Sequence, residues 1–333
     1  MQNIHLKNRI RGKNIIQGLN MKKWTATLLT ILHFCILPIT LSAEGYLFFS
    51  PKSIASHLQG YNEVEKSAIA KDLTAIREIC LQHQESAAQK RPLYIATAGA
   101  PGARKSTILE RFLASSPLFA EVCYIDPDQR GLKFMAHTYY SQSLSNRVTA
   151  DYKEYTEARK AAYEKWRGAS NYIALTLLEE AFSEKRDIAH GTTSTGGHIY
   201  TFLPKIKNAG YEIVLLLCYC KESFQREAIQ HRNEVQKFYQ STPEDAINKS
   251  LLFPQRMAAY FQNADTLYLF WSDDLSSKER LAAIYDSGKM QVIDQEALDC
   301  FIQKFSSDRK YLQTEGKSIP SWNELTSVYY DRF

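Results

Sequence analysis

Apolar positions along this chain follow two alternating patterns. Short, nearly continuous apolar runs bounded by Gly, Pro or Asp are separated by longer stretches in which apolar residues return every three or four positions. The runs at 93–97, 122–125, 187–190, 213–219 and 266–271 read as strands, and those at 144–184, 200–208, 222–238 and 243–260 as helices. A segment as apolar as IVLLLCY is what a parallel sheet covered on both faces requires. The alternation therefore predicts an α/β three-layer fold with a mostly parallel sheet over residues 92–275. Residues 44–91 read as a helical lead-in, with Ile69, Leu73, Ile76, Ile79 and Leu81 as its apolar positions. Residues 276–333 read as a helical tail with one strand candidate at 290–293.

Charge changes this picture only at the N-terminus. Of the 41 basic residues, Lys7, Arg9, Arg11, Lys13, Lys22 and Lys23 fall in the first 23 positions, where there is no acid. The remaining 35 basic residues face 36 acidic ones, so nothing in the charge favours a nucleic-acid partner. Two lysines after Met21, an uncharged stretch from Trp24 to Leu41 and the small residues Ser42 and Ala43 have the order of a secretory signal. Residues 1–43 are thus expected to be an export segment starting at Met21 and cleaved after Ala43. Cleavage would place the protein in the periplasm or outside the cell. An uncleaved segment would be a membrane anchor, and an unused one would leave the chain in the cytoplasm. Five cysteines follow it, with no metal-like spacing. Cys218 and Cys220, two apart in an apolar run, read as packed hydrophobes on one strand face. The Lys/Glu alternation at 153–165 reads as a solvated helix surface.

The strongest chemical signal is Gly99-Ala100-Pro101-Gly102-Ala103-Arg104-Lys105-Ser106-Thr107, set between the first core strand and an amphipathic helix. A phosphate-binding loop needs glycines so that main-chain N–H groups can close around an anion. It also needs a lysine for the β/γ-phosphates and a hydroxyl for Mg²⁺. Gly99, Gly102, Lys105 and Ser106 supply these, and the helix N-terminus adds about half a positive charge. Arg104 stands where the motif has its second glycine. A left-handed backbone there would cost about 1–2 kcal/mol, and its side chain is a candidate for an extra phosphate contact. Asp126-Pro127-Asp128 ends the next strand, where a kinase would place the carboxylate that orients a substrate hydroxyl; a cap or turn role is the competing reading.

Over about residues 93–272 the sequence resembles the zeta toxin family. GAPGARKS matches that family's G-x-P-G-x-G-K-[ST] loop except at Arg104, and Ile125-Asp126-Pro127-Asp128 matches its I-D-x-D. His190-Gly191-Thr192 stands for its E-G-T, and Gly210-Tyr211-Glu212 precedes the next apolar strand. The resemblance implies a P-loop kinase using ATP and Mg²⁺, with Asp128 catalytic, Lys105 and Arg232 on the phosphates, Ser106 on the metal, and His190 and Thr192 on the substrate side. It further implies transfer of the γ-phosphate to a hydroxyl of a small molecule such as UDP-N-acetylglucosamine, with an antitoxin or a host protein as a partner. The family's substrate glutamate is replaced by His190 and a second carboxylate falls on Leu175. A second phosphate-binding arginine is missing near the 241–243 turn, with Gln240 nearby. These departures keep open the alternative of a catalytically impaired P-loop protein that binds a nucleotide or a protein.

Overall fold

The computed structural model describes residues 48–81, 91–141, 152–235 and 243–327. The expected export segment, the start of the long helix at 144, Gln240 and the beginning of the 241–243 turn lie outside the described residues. The run at 93–97 forms β1 (Leu93–Ala98), every residue of which is buried. It lies between two parallel neighbours, β3 (Ile188–His190) and β4 (Glu212–Cys220). Beyond them, β2 (Cys123–Ile125) pairs with β3 and β5 (Thr266–Ser272) pairs with β4, again in parallel. Two antiparallel strands, β6 (Arg280–Asp286) and β7 (Lys289–Val292), complete a seven-stranded sheet of order β2-β3-β1-β4-β5-β6-β7.

Strand alternation divides the core in two. Tyr94, Ala96, Leu215, Leu217 and Tyr219 share a core with α2 (Glu63–Leu81), α4 (Tyr152–Ser183), α5 (Ile199–Asn208), α9 (Met257–Asn263) and α10 (Gln295–Thr314). Ile95, Leu216, Cys218 and Cys220 face α3 (Lys105–Ala114) and α6 (Glu222–Val235). Both faces are therefore covered, and the two β4 cysteines pack as hydrophobes on one of them.

Four expectations are corrected. The predicted helix at 243–260 is broken into α7 (Pro243–Ser250), α8 (Leu252–Gln255) and α9. Pro254 has no N–H and its ring collides with the carbonyl four residues back, so α7 stops there. The tail begins with a β-hairpin, whose second strand is the 290–293 candidate and whose first is unpredicted, because Ser287 (φ 51°) and Gly288 (φ 78°) form a tight two-residue turn with both φ positive. The lead-in is part of the main core: after α1 (Pro51–Ser56), α2 buries Ile69, Leu73, Ile76 and Cys80 while Ile79 faces outward. Finally, the 153–165 run is not wholly solvated, since Arg159 and Ala162 within it are buried.

The C-terminal elements are equally integral. Asp308 of α10 accepts from the buried Tyr219 hydroxyl of β4 and pairs with Lys304. Phe301 stacks edge-on against Tyr219 and packs on Trp322 at the start of α11 (Trp322–Ser327). Phe301→Ala is expected to lower stability by about 3–5 kcal/mol, read from the urea midpoint. An unmoved midpoint would show that the tail contributes nothing to the core.

Candidate active site

The 99–104 loop leaves β1 under tight steric limits. A Cβ on Gly99 (φ 146°) would lie 2.3 Å from the Cys218 carbonyl oxygen, and one on Gly102 (φ 86°) 2.9 Å from that of Gln225. No side chain fits at either place. The Gly99 N–H donates to the Thr193 carbonyl at 3.0 Å, so this amide serves the fold and not an anion. Gln225, buried in the first turn of α6, donates to the Pro101 carbonyl at 2.7 Å and to the Ala246 carbonyl at 3.2 Å, and accepts from Ser250 at 2.9 Å. Ala100 and Ala103 of the loop are themselves buried.

Arg104 is the N-cap of α3 and is left-handed (φ 56°, ψ 19°), with no side-chain cap on the helix. The first-turn amides of α3 therefore keep their donors for an anion. The Arg104 guanidinium does not supply the phosphate contact that was a candidate. It donates to the carbonyls of Ser277 at 2.5 Å, Leu275 at 2.8 Å and Asp274 at 3.1 Å.

Next to it, Lys105 folds its ammonium back across the loop to the Ala100 carbonyl at 2.7 Å. Burial lowers its pKa to about 8, and the nearby Arg232 cation pushes the same way. Ser106 is half-buried on the same turn, whereas Thr107 is exposed.

Two carboxylates stand at the end of β2. Asp126 Oδ1 accepts from the N–H groups of Asp128 and Gln129 at 2.7 and 2.8 Å, which shapes the turn that carries Asp128. A Cβ on Gly191 would lie 2.0 Å from Asp126 Oδ2, so the glycine after β3 is what leaves room for this carboxylate. Burial first, and the neighbouring Asp128 charge second, hold Asp126 well above the usual carboxylate range. Asp128 is paired with Arg167 of α4. Burial alone would lower the Arg167 pKa, but the charges around it, Asp128 above all, outweigh that and raise it. Arg232 feels Asp128 as well, although burial makes its net shift downward. Lys105, Asp126, Asp128, Arg167 and Arg232 thus lie within electrostatic range as one cluster at the carboxyl ends of β1 and β2, where open parallel sheets bind ligands.

A zeta toxin family model matches residues 77–288. The chain belongs to the zeta toxin family. Zeta toxins are P-loop, kinase-like phosphotransferases. A crystal structure of AvrRxo1-ORF1:-ORF2 with ATP is similar to this chain with a TM-score of 0.55 at 12% identity, covering 86% of this chain and 95% of that one. Another, of AvrRxo1-ORF1:AvrRxo1-ORF2 with sulphate ions, has a TM-score of 0.52 at 12% identity, covering 85% and 93%. At that identity the likeness is one of fold. No curated protein matches.

Within this zeta toxin fold, the remaining predicted residues are placed as follows. His190 extends toward the α4 and α5 side of the sheet, its Nδ1 is 2.8 Å from the Tyr94 hydroxyl, and burial with a contribution from His198 pushes its pKa down to about 3. It is a neutral ring and does not replace a carboxylate. Thr192 is taken up by the main chain: its carbonyl and N–H both bond the Thr97 hydroxyl, and its own hydroxyl accepts from Ser194 N–H at 3.1 Å. Leu175 packs against the core. Arg226 pairs with Glu222 on a solvated helix face. Sequence reasoning missed Asp126 as a buried partner of Asp128, and it missed Gln225 and Arg167. The one available signal for Arg167 was its position three residues before Ser170, which puts both on one side of α4.

The lowered Lys105 pKa has a testable sign. An anion that binds the ammonium must, above about pH 8, bind with uptake of a proton. ATP affinity measured by calorimetry should fall by up to about tenfold per pH unit between about pH 8 and pH 10, and Lys105→Arg should flatten that slope. A flat profile in the unmutated protein would place the lysine away from the bound anion.

Proposed function

We propose that this protein transfers the γ-phosphate of ATP to a hydroxyl of a small molecule. The observation that carries the reading is the shared position of the Gly99/Gly102 loop with Lys105 and of the Asp128 turn with its arginines. The loop fits a polyphosphate because it is pressed against β4 and α6 too closely for any side chain at Gly99 or Gly102, and it leads into an α3 N-terminus that no side chain caps. The donor set fits Mg²⁺: Ser106 offers a hydroxyl and the β2 end offers carboxylates. Among the described residues no cluster of three His, Cys, Asp or Glu could hold a metal ion; Mg²⁺ would keep waters and phosphate oxygens among its ligands. When bound, Mg²⁺ would neutralise charge on the β- and γ-phosphates.

In the transfer, the acceptor oxygen forms a bond to the γ-phosphorus as the bond to the β-bridging oxygen breaks. The acceptor proton passes to the Asp128 carboxylate and ADP leaves. Lys105 holds the β/γ-phosphates, Arg232 stabilises the charge on the transferring group, and Asp126 fixes the Asp128 turn through its two N–H bonds. UDP-N-acetylglucosamine is the acceptor to test first, within a panel of nucleotide sugars, because His190 and Leu175 alter the acceptor side. A catalytically silent nucleotide-binding module is the second reading, favoured by the neutral His190. AvrRxo1-ORF1 was solved together with AvrRxo1-ORF2, and a protein partner of the antitoxin kind, or a host protein, is proposed here too. Export through residues 21–43 would deliver the enzyme to a second compartment or cell that supplies ATP.

Lys105→Ala should abolish ATP binding in calorimetry. Asp128→Ala should retain binding and lose about 10²–10⁴-fold in turnover. Absence of any binding by the unmutated protein at millimolar ATP with Mg²⁺ would refute the kinase reading, and binding without turnover on the panel would favour the silent module. Mass spectrometry of the mature chain should find Glu44 at its N-terminus; an intact Met21 would rule out cleavage.

A further inference from the structure

Arg104 is out of place in two ways that have one explanation. It occupies a left-handed position that glycine would fill without strain. Its side chain also turns away from the phosphate loop to bind main-chain carbonyls of the segment joining β5 to β6, at Asp274, Leu275 and Ser277. The guanidinium lies 5.2 Å over the Phe224 ring and 3.9 Å from Glu279, whose carboxylate is held by Arg111 of α3. That segment has its own turn, in which Asp274 accepts from the N–H groups of Ser276 and Ser277. Arg104 therefore fastens a preformed loop to the N-cap of the phosphate-binding helix.

The sheet order says what that loop is near. The acceptor-side carboxylates end β2, the phosphate loop ends β1, and the fastened loop follows β5, on the other side of β1 and β4. A γ-phosphate facing Asp128 must trail its nucleoside the opposite way, toward β4 and β5. Resting on the ATP reading above, we infer that Arg104 is a positioning residue that fixes residues 273–279 as a wall for the nucleoside end of the donor. The forked guanidinium reaches three carbonyls at once, which a lysine ammonium on a flexible stem does not reproduce.

The test compares ATP with inorganic tripolyphosphate, which has the same phosphates and no nucleoside. Arg104→Gly keeps the loop motif and trades the left-handed strain for the lost carbonyl contacts, so a thermal melt should find it folded at the assay temperature. It should lose about tenfold in ATP affinity while tripolyphosphate affinity stays within about twofold, and Arg104→Lys should lose ATP affinity similarly. Undiminished ATP binding by Arg104→Gly, or an equal loss for both ligands, would overturn the inference. An unmutated protein that binds neither ligand would instead overturn the ATP reading on which it rests.

Discussion

The site depends on how closely the main chain after β1 approaches its neighbours. At Gly99 it runs against the backbone of β4, and at Gly102 against the first turn of α6, at separations that leave no space for a side-chain carbon. A loop pressed this close has its conformation set by the sheet and helix behind it and not by its own few residues. Thr193 and Gln225 add the hydrogen bonds that hold it there, one from each side. The result is a closely held main-chain turn leading into the N-terminus of α3, and such preorganised dipoles need no reorganisation when an anion arrives.

Charge is then concentrated on that frame. Lys105, Arg167 and Arg232 share a largely buried region with Asp126 and Asp128. Burial shifts Lys105 and Asp126 toward their neutral forms, and each shift is a measure of what a dry environment costs an ion. With Asp126 drawn toward neutrality and Asp128 engaged by Arg167, the cluster retains an excess of cationic groups. That excess favours a polyanionic ligand, whose charge would in turn restore the ammonium of Lys105.

The phosphate loop is also tied to the far side of the sheet. A left-handed arginine costs on the order of 1–2 kcal/mol of backbone strain. Three hydrogen bonds to carbonyls, a face-on approach to Phe224 and a nearby carboxylate offset it. The β5–β6 connection, the hairpin after it and α10 are thereby linked to the helix that carries Lys105. Stability of the C-terminal third and geometry of the site are consequently not independent.

The sequence alone determined what local physics encodes: the apolar run, glycine loop and amphipathic helix around 93–114, the Asp-Pro-Asp turn, and the parallel, doubly covered strands. Each of these rests on spacing within a few residues, where periodicity and turn chemistry act directly. The hairpin strand at 280–286, which went unpredicted beside the 290–293 candidate, also had its local mark in Ser287-Gly288, but it carries few β-formers. Tertiary structure decided the partners. Arg167 finds Asp128 across 39 positions, and Arg104 reaches carbonyls some 170 residues away. Arg159 is buried within a run that reads as solvent-facing, and His190, expected on the substrate side, bonds Tyr94. A charged side chain carries no sign of its partner in its own neighbourhood, because only the packing of the helices onto the sheet brings the two together.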